Sequence, residues 1–191
     1  MSAEQQAIER LKCGDGSALK WLMEQYGDDI LRTAVLLLKD YHMAEDVSQE
    51  VFITAFQKIK QYRGEGSLRG WLLKVTINLC RSKMRLVSWK RLLFREATIE
   101  ENRVHSHLYN SAPNAEIEQW LLSLSLRESI EAMPFKYREV IVLYYYQELT
   151  IKEIAQVLTE PESTIKSKLL RGRRLLRHQL EEGGWQDETR A

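Results

Sequence analysis

Residues Leu149 to Leu180 read LTIKEIAQVLTEPESTIKSKLLRGRRLLRHQL. Thr150 followed three residues later by Glu153 has the form of a capping box, the side-chain arrangement that opens a helix. Ile151, Ile154, Ala155 and Leu158 then fall on one face of a short helix. Thr159-Glu160-Pro161-Glu162 interrupts it. Proline in a first turn suits a new helix, and Thr159 with Glu162 has the spacing of a second capping box. The next helix carries Ile165, Leu169, Leu175 and Leu176 as its apolar stripe. A short helix, a tight turn and a long helix make a helix-turn-helix, with small Ala155 expected where the two cross. Thr159 stands where glycine is common. A β-branched residue disfavours positive φ, so the expectation is a turn of another type with Thr159 as a cap.

The long helix bears Ser163, Thr164, Lys166, Ser167, Lys168, Arg171, Arg173 and Arg174. In such motifs the start of the second helix enters the DNA major groove, where hydroxyls and guanidinium groups reach base edges and further cations hold phosphates. From Thr164 to Gln179 there are six basic residues and no acid. A second basic block runs from Lys58 to Arg95, with eleven Lys or Arg and only Glu65 as an acid. The net charge of +1 says nothing about polyanions, but two separated basic blocks suggest two contact surfaces for one.

Upstream of the motif, Pro134 is placed to start a helix, and Val140, Ile141, Leu143 and Tyr144 are expected as core beneath the second helix. The tyrosines 144 to 146 are read as packing and helix-end residues rather than base-stacking ones. The N-terminal part is helical by its period. Ile30, Ala34, Leu37 and Leu38 form one stripe; Val47, Val51, Phe52, Ala55, Phe56 and Ile59 a second; Trp71, Val75 and Leu79 a third, with Trp71 as core. Gly64-Glu65-Gly66-Ser67 reads as a loop. Residues 87–118 mix charged and polar types with Pro113 and weak period, the composition of a flexible linker with room for helical ends. The resulting architecture is all-α: a helical domain over 1–86, a linker over 87–118, a second helical domain over 119–183 closed by Gly183-Gly184, and a tail over 184–191.

No apolar run approaches the roughly 20 residues that span a bilayer, and the polar, acidic start is no secretory signal. Cys13 and Cys80 are too few for a disulfide framework and are expected as reduced thiols. His105 and His107 have no further ligand nearby, so neither a metal nor another cofactor is expected.

Ala44-Glu45-Asp46-Val47-Ser48-Gln49-Glu50-Val51-Phe52-Ile53-Thr54-Ala55-Phe56 resembles the signature helix of region 2 of the sigma factors, the subunits that direct bacterial RNA polymerase to promoters. Asp46, Gln49, Glu50, Ile53 and Gln57 lie about one turn apart on one face, and an acidic and amide stripe suits a basic partner helix. By resemblance that stripe docks on the coiled coil of the polymerase β′ subunit. Tyr62-Arg63-Gly64 followed by Trp71-Leu72 continues the family pattern, and Val75-Thr76-Ile77-Asn78-Leu79-Cys80-Arg81 resembles its −10 reading segment. The resemblance implies that Asn78 and a loop from Arg81 to Arg85 hold an unstacked base of the opened strand. Arg69, Lys74, Arg81, Lys83 and Arg85 would hold its phosphates. Leu149–Ala155 and Ser163–Leu169 are similar to region 4, the −35 reader, with Ser163, Thr164, Lys166, Ser167, Lys168, Arg171 and Arg174 on promoter DNA.

With no extra domain between the two regions, the resemblance is to the short extracytoplasmic-function (ECF) type of the sigma-70 family. It implies a cytoplasmic, non-enzymatic protein, monomeric when free. Its partners would be core polymerase, through the β′ and β subunits, promoter DNA, and an anti-sigma factor, often membrane-attached. Two other readings stay open. A helix-turn-helix regulator with an N-terminal sensor or dimerisation domain explains the C-terminal half. A helical metal-dependent hydrolase using Glu45, Asp46 and Glu50, with Asp28 and Asp29 facing them, leaves that half unexplained.

Overall fold

A computed structural model describes residues 2–64, 66–93 and 124–182. Most of the expected linker (94–118) lies outside these residues, as do the His105 and His107 pair, residues 119–123, the Gly183-Gly184 stop and the tail. The described residues are helical with no strand, so the all-α expectation holds. The chain divides into two compact units, Met1–Asn110 and Ser111–Ala191.

In the first unit, α1 (Ala3–Lys12), α2 (Ser17–Leu38), α3 (Tyr41–Lys58), a 3-10 turn (Ile59–Gln61) and α4 (Leu68–Leu93) follow one another. Helices α2, α3 and α4 pack mutually, and α1 lies on α2 and the 3-10 turn. Local chemistry sets the starts. Ser2 and Gln5 form a reciprocal capping box on α1. The Asp40 carboxylate accepts from the Met43 N–H at 2.9 Å to open α3, and the Ser67 hydroxyl accepts from the Gly70 N–H at 3.0 Å to open α4. Helix α2 stops at Lys39, a left-handed residue whose N–H bonds the Val35 carbonyl.

The core closes on Leu22, Ile30, Ala34, Leu37, Val47, Val51, Ala55, Leu72, Leu73, Ile77 and Cys80, each nearly or fully buried. Each large aliphatic among them contributes about 1.5–3 kcal/mol by leaving water. The first stripe is therefore as expected, and so is the second except that Phe56 is half-exposed. The third is out of phase. Trp71, Val75 and Leu79 are half-exposed, and α4 buries Leu68, Leu72, Leu73, Thr76, Ile77 and Cys80 instead. The apolar residues of α4 run nearly all round its first turns, so periodicity alone does not choose the buried face. Trp71 packs its ring on Tyr62, centroids 5.7 Å apart. Helix α4 also continues to Leu93, past the expected boundary at 86.

The second unit contains α5 (Leu124–Ala132), α6 (Phe135–Ile141), a π-helical turn (Val142–Tyr146), α7 (Ile151–Leu158) and α8 (Glu162–Glu182). Helix α8 packs on α5, α6 and α7. Pro134 opens α6, its carbonyl accepting from the Tyr137 and Arg138 N–H groups. Val140, Ile141 and Leu143 are core as expected, together with Met133, Ile154, Leu158, Ile165 and Leu169, whereas Tyr144 is half-exposed. Arg138 is buried too. Its Nε and Nη1 lack hydrogen-bond partners, and burial pulls the guanidinium down to about 10, against the opposing effect of Glu131.

Candidate nucleic-acid and polymerase interfaces

The helix-turn-helix forms as read, with two corrections at its turn. Thr150 caps α7: its hydroxyl accepts from the Glu153 N–H at 3.3 Å, and the Thr150 N–H donates back to the Glu153 carboxylate at 2.8 Å. At the other end, Thr159 adopts the left-handed conformation it was expected to avoid, with φ 56° and ψ 46°. Its N–H and that of Glu160 both bond the Ala155 carbonyl, which closes the helix end. Those bonds offset a strain of about 1–2 kcal/mol for a side chain bearing Cβ. Thr159 thus ends α7 rather than capping α8. Pro161 stands just before α8, its carbonyl accepting from Thr164 and Ile165.

Ala155, expected where α7 and α8 cross, is half-exposed. A close approach of a different pair, α8 and α6, lies at Gly172, where a Cβ would meet Ile141 Cγ1 at 3.0 Å and Tyr137 Cβ at 3.6 Å. Gly172 therefore lets α8 lie directly on α6. The signal was a lone glycine inside a helical pattern.

Helix α8 displays Ser163, Lys166, Ser167, Arg171 and Arg174 as exposed residues, with Thr164 half-exposed beside them. At 100° per residue, Ser163, Lys166, Ser167 and Arg174 form one stripe, with Arg171 on its flank. The Ser167 hydroxyl donates to the Ser163 carbonyl at 2.9 Å, which leaves its oxygen lone pairs outward as acceptors. Arg171 hydrogen-bonds Tyr137 and holds that phenol below its ordinary range. Lys168 departs from the expectation. Its ammonium lies 2.7 Å from Glu160 and 3.3 Å from Glu139, whose side chain is 2% exposed. This lysine ties α8 to α6 and to the turn.

Two features were not read from the sequence. One is a contact: Arg173, expected only as one of the cations of the long helix, lies over the rings of Tyr144 and Tyr145, at 5.2 and 5.5 Å from their centroids. Tyr145 is exposed, so the tyrosine triplet is not simply packing. Leu170 is the other, an exposed aliphatic inside the basic stripe.

On α3, Asp46, Gln49, Glu50, Ile53 and Gln57 share one stripe and reach solvent, while Ala44, Val47, Val51 and Ala55 face the core. Ile53, 56% exposed, puts an aliphatic group at the centre of a polar, acidic surface. That is the composition expected for a docking face with a hydrophobic anchor and charged surround.

On α4 the expected DNA contacts divide. Lys74, Asn78, Arg81 and Arg85 recur on one stripe and are half-exposed or exposed. Arg69 and Lys83 lie on the opposite side. Arg69 pairs with Asp29 at 3.0 Å, and Lys83 approaches Glu50 at 3.9 Å. Residues 81–85 continue α4, so no loop follows Asn78. A loop precedes α4 instead, with Gly64 and Gly66 at positive φ and the Tyr62 hydroxyl donating to the Gly66 carbonyl at 2.9 Å. Asp29, which the hydrolase reading needed opposite Glu45, Asp46 and Glu50, is thereby held by Arg69. Among the described residues no three His, Cys, Asp or Glu side chains come together as a metal site. Nor is any helix among them long and apolar enough to cross a membrane.

Known proteins share this arrangement. Residues 22–90 match the family "Sigma-70 region 2" and residues 123–176 the family "Sigma-70, region 4". The chain is 32% identical over 176 residues to the ECF RNA polymerase sigma factor SigW of Bacillus subtilis (strain 168), covering 91% of this chain and 94% of that one. It is 30% identical over 156 residues to SigM of the same strain, covering 82% and 91%. Among solved structures, the fold is similar to the sigma factor RpoE in complex with the anti-sigma factor NepR from Bartonella quintana. There the TM-score is 0.67 at 21% identity, with coverage of 85% and 96%. It is also similar to CnrH in complex with the cytosolic domain of CnrY, with TM-score 0.67 at 19% identity and coverage of 95% and 99%. With both regions present in order and relatives matched nearly end to end, the chain belongs to the ECF RNA polymerase sigma factors of the sigma-70 family.

Proposed function

We propose that this sigma factor engages core polymerase through the α3 stripe of Asp46, Gln49, Glu50, Ile53 and Gln57. It reads the melted −10 strand with the α4 stripe of Lys74, Asn78, Arg81 and Arg85, and the duplex −35 element with α8. The observation that carries this reading is the segregation of surfaces. An acidic stripe with one exposed aliphatic stands on α3, and basic, hydroxyl-bearing stripes stand on α4 and α8. The polymerase supplies the chemistry and this subunit the address. Each DNA-reading unit makes few contacts alone. Carrying both on one enzyme raises the effective concentration of the second once the first is bound. Capturing unstacked bases on the α4 stripe gives strand opening a thermodynamic pull.

The domains take the roles in chain order: 1–86 with the continuation of α4 for polymerase and −10 binding, 119–183 for −35 binding, and the intervening residues as linker. The protein works in the cytoplasm as a monomer when free. An anti-sigma factor would cover the α3 and α8 faces; the structures of relatives bound to NepR and to CnrY support such a partner.

The test is transcription in vitro with purified core polymerase on a genomic promoter library. Discrete start sites that appear only with this protein support the reading. Arg171→Ala should then weaken −35-dependent initiation about tenfold with polymerase binding intact, and Asp46→Ala with Gln49→Ala should do the reverse. Absence of start sites, together with failure to co-purify with core, refutes it in favour of a free-standing regulator.

A further inference from the structure

Helix α8 buries or half-buries its aliphatic residues, with one exception among those described. Ile165 and Leu169 are 0% and 4% exposed, and Leu175 and Leu176 are half-buried, but Leu170 is 52% exposed. Its neighbours one turn away are Lys166, Ser167, Arg173 and Arg174. A leucine among four polar and cationic groups has no apolar surface of its own helix to join. At 100° per residue it falls on the stripe of Ser163, Ser167 and Arg174, in the middle of the surface assigned to duplex DNA. A single exposed leucine is ordinary on a protein surface. Its position decides the matter here, because a side chain there lies against base edges once the helix is in the groove. The apolar group that the major groove presents is the 5-methyl of thymine.

We propose that Leu170 reads a thymine methyl in the −35 element, a contact that rests on the −35 assignment of α8 and adds a base-specific apolar member to its hydroxyl and guanidinium contacts. Arg174 and Ser167, flanking it on the stripe, would bond neighbouring bases or phosphates and fix the register in which the leucine meets the methyl. Burying one methyl is worth about fourfold in affinity.

The experiment uses the full chain bound to core polymerase and promoter duplexes in which each −35 thymine is replaced, one at a time, by deoxyuridine, which lacks only the methyl. The native protein should bind about fourfold more weakly when one particular thymine is replaced. Leu170→Ala should bind the thymine duplex about fourfold more weakly and be indifferent to deoxyuridine at that position, while keeping its response elsewhere. Leu170→Gln should move the preference at that pair toward adenine, which glutamine bonds through N6 and N7. If native and Leu170→Ala proteins respond alike to every deoxyuridine, the inference fails while sequence-specific −35 binding stands. If Leu170→Ala instead weakens binding to core polymerase with an unchanged deoxyuridine response, the residue docks protein and the inference is again overturned. If the native protein shows no sequence preference upstream at all, the −35 assignment falls with it.

Discussion

Replacing Lys168 with Met separates two incompatible roles for that residue. As a phosphate ligand it would add affinity and leave folding alone. As the bridge between Glu139 and Glu160 it holds α8 on α6 and on the turn. Breaking a fully buried ion pair costs about 3–5 kcal/mol, because the remaining charge stays buried. Lys168 is 17% exposed and Glu160 23%, so water reaches one end of the bridge, whereas Glu139 at 2% is shielded. We therefore expect a destabilisation of about 2 kcal/mol, between the value of one charged hydrogen bond and that of a buried pair. Hydrogen exchange on peptides from α6 and α8 of the full chain measures it as faster opening of that unit, with α2 to α4 unchanged. Combining the substitution with Glu139→Gln should cost less than the sum of the two, by about 1 kcal/mol, because the partner charge is gone. The salt dependence of DNA binding supplies the refutation. Removing one phosphate-neutralising cation makes the slope of log affinity against log salt shallower by about 0.9. A slope reduced by that amount with unchanged exchange would show that Lys168 holds DNA and that the bridge is incidental.

Three further outcomes follow from the fold. Gly172→Ala should destabilise the second unit by about 1 kcal/mol in urea unfolding: the added methyl meets stiff, buried Ile141 at 3.0 Å, which outweighs the helix propensity gained. A more stable variant would refute the close crossing. Thr159→Gly should stabilise by about 0.5–1 kcal/mol, the strain of the left-handed residue less the backbone entropy of glycine, read as a raised Tm. In the folded protein at pH 8 a thiol reagent should titrate Cys13 alone. Cys80 is fully buried with its thiol pushed up to about 12, and it should react only on unfolding.

Much of the fold was legible because its signals are local. The Thr150–Glu153 box, the helical period of α3 and the hydroxyl and basic residues of α8 each depend on residues within a turn or two of one another. The acidic face of α3 followed directly from its spacing. What escaped the sequence depends on a third dimension. The phase of α4 is undetermined when Trp71, Val75 and Leu79 are as apolar as Leu72, Ile77 and Cys80, and only the neighbouring helices select between the two faces. The role of Lys168 is set by Glu139, distant in the chain, and those of Arg69 and Lys83 by carboxylates on other helices. Thr159 was misread because propensity disfavours what the Ala155 carbonyl, once bonded twice, makes acceptable. A loop after Asn78 came from the family pattern, whereas the uninterrupted helix formers from Arg81 to Leu86 continue α4.

The pairing of Arg69 with Asp29 and of Lys83 with Glu50 has an electrostatic consequence for the first unit. Such half-exposed bridges add little stability. They offset positive charge on one flank of α4, while Lys74 and Arg85 lie on the other. The field is lopsided, with an acidic helix face in the same unit. A polyanion approaching it feels a torque as well as an attraction, and the unit meets that polyanion already turned to the Lys74 and Arg85 side.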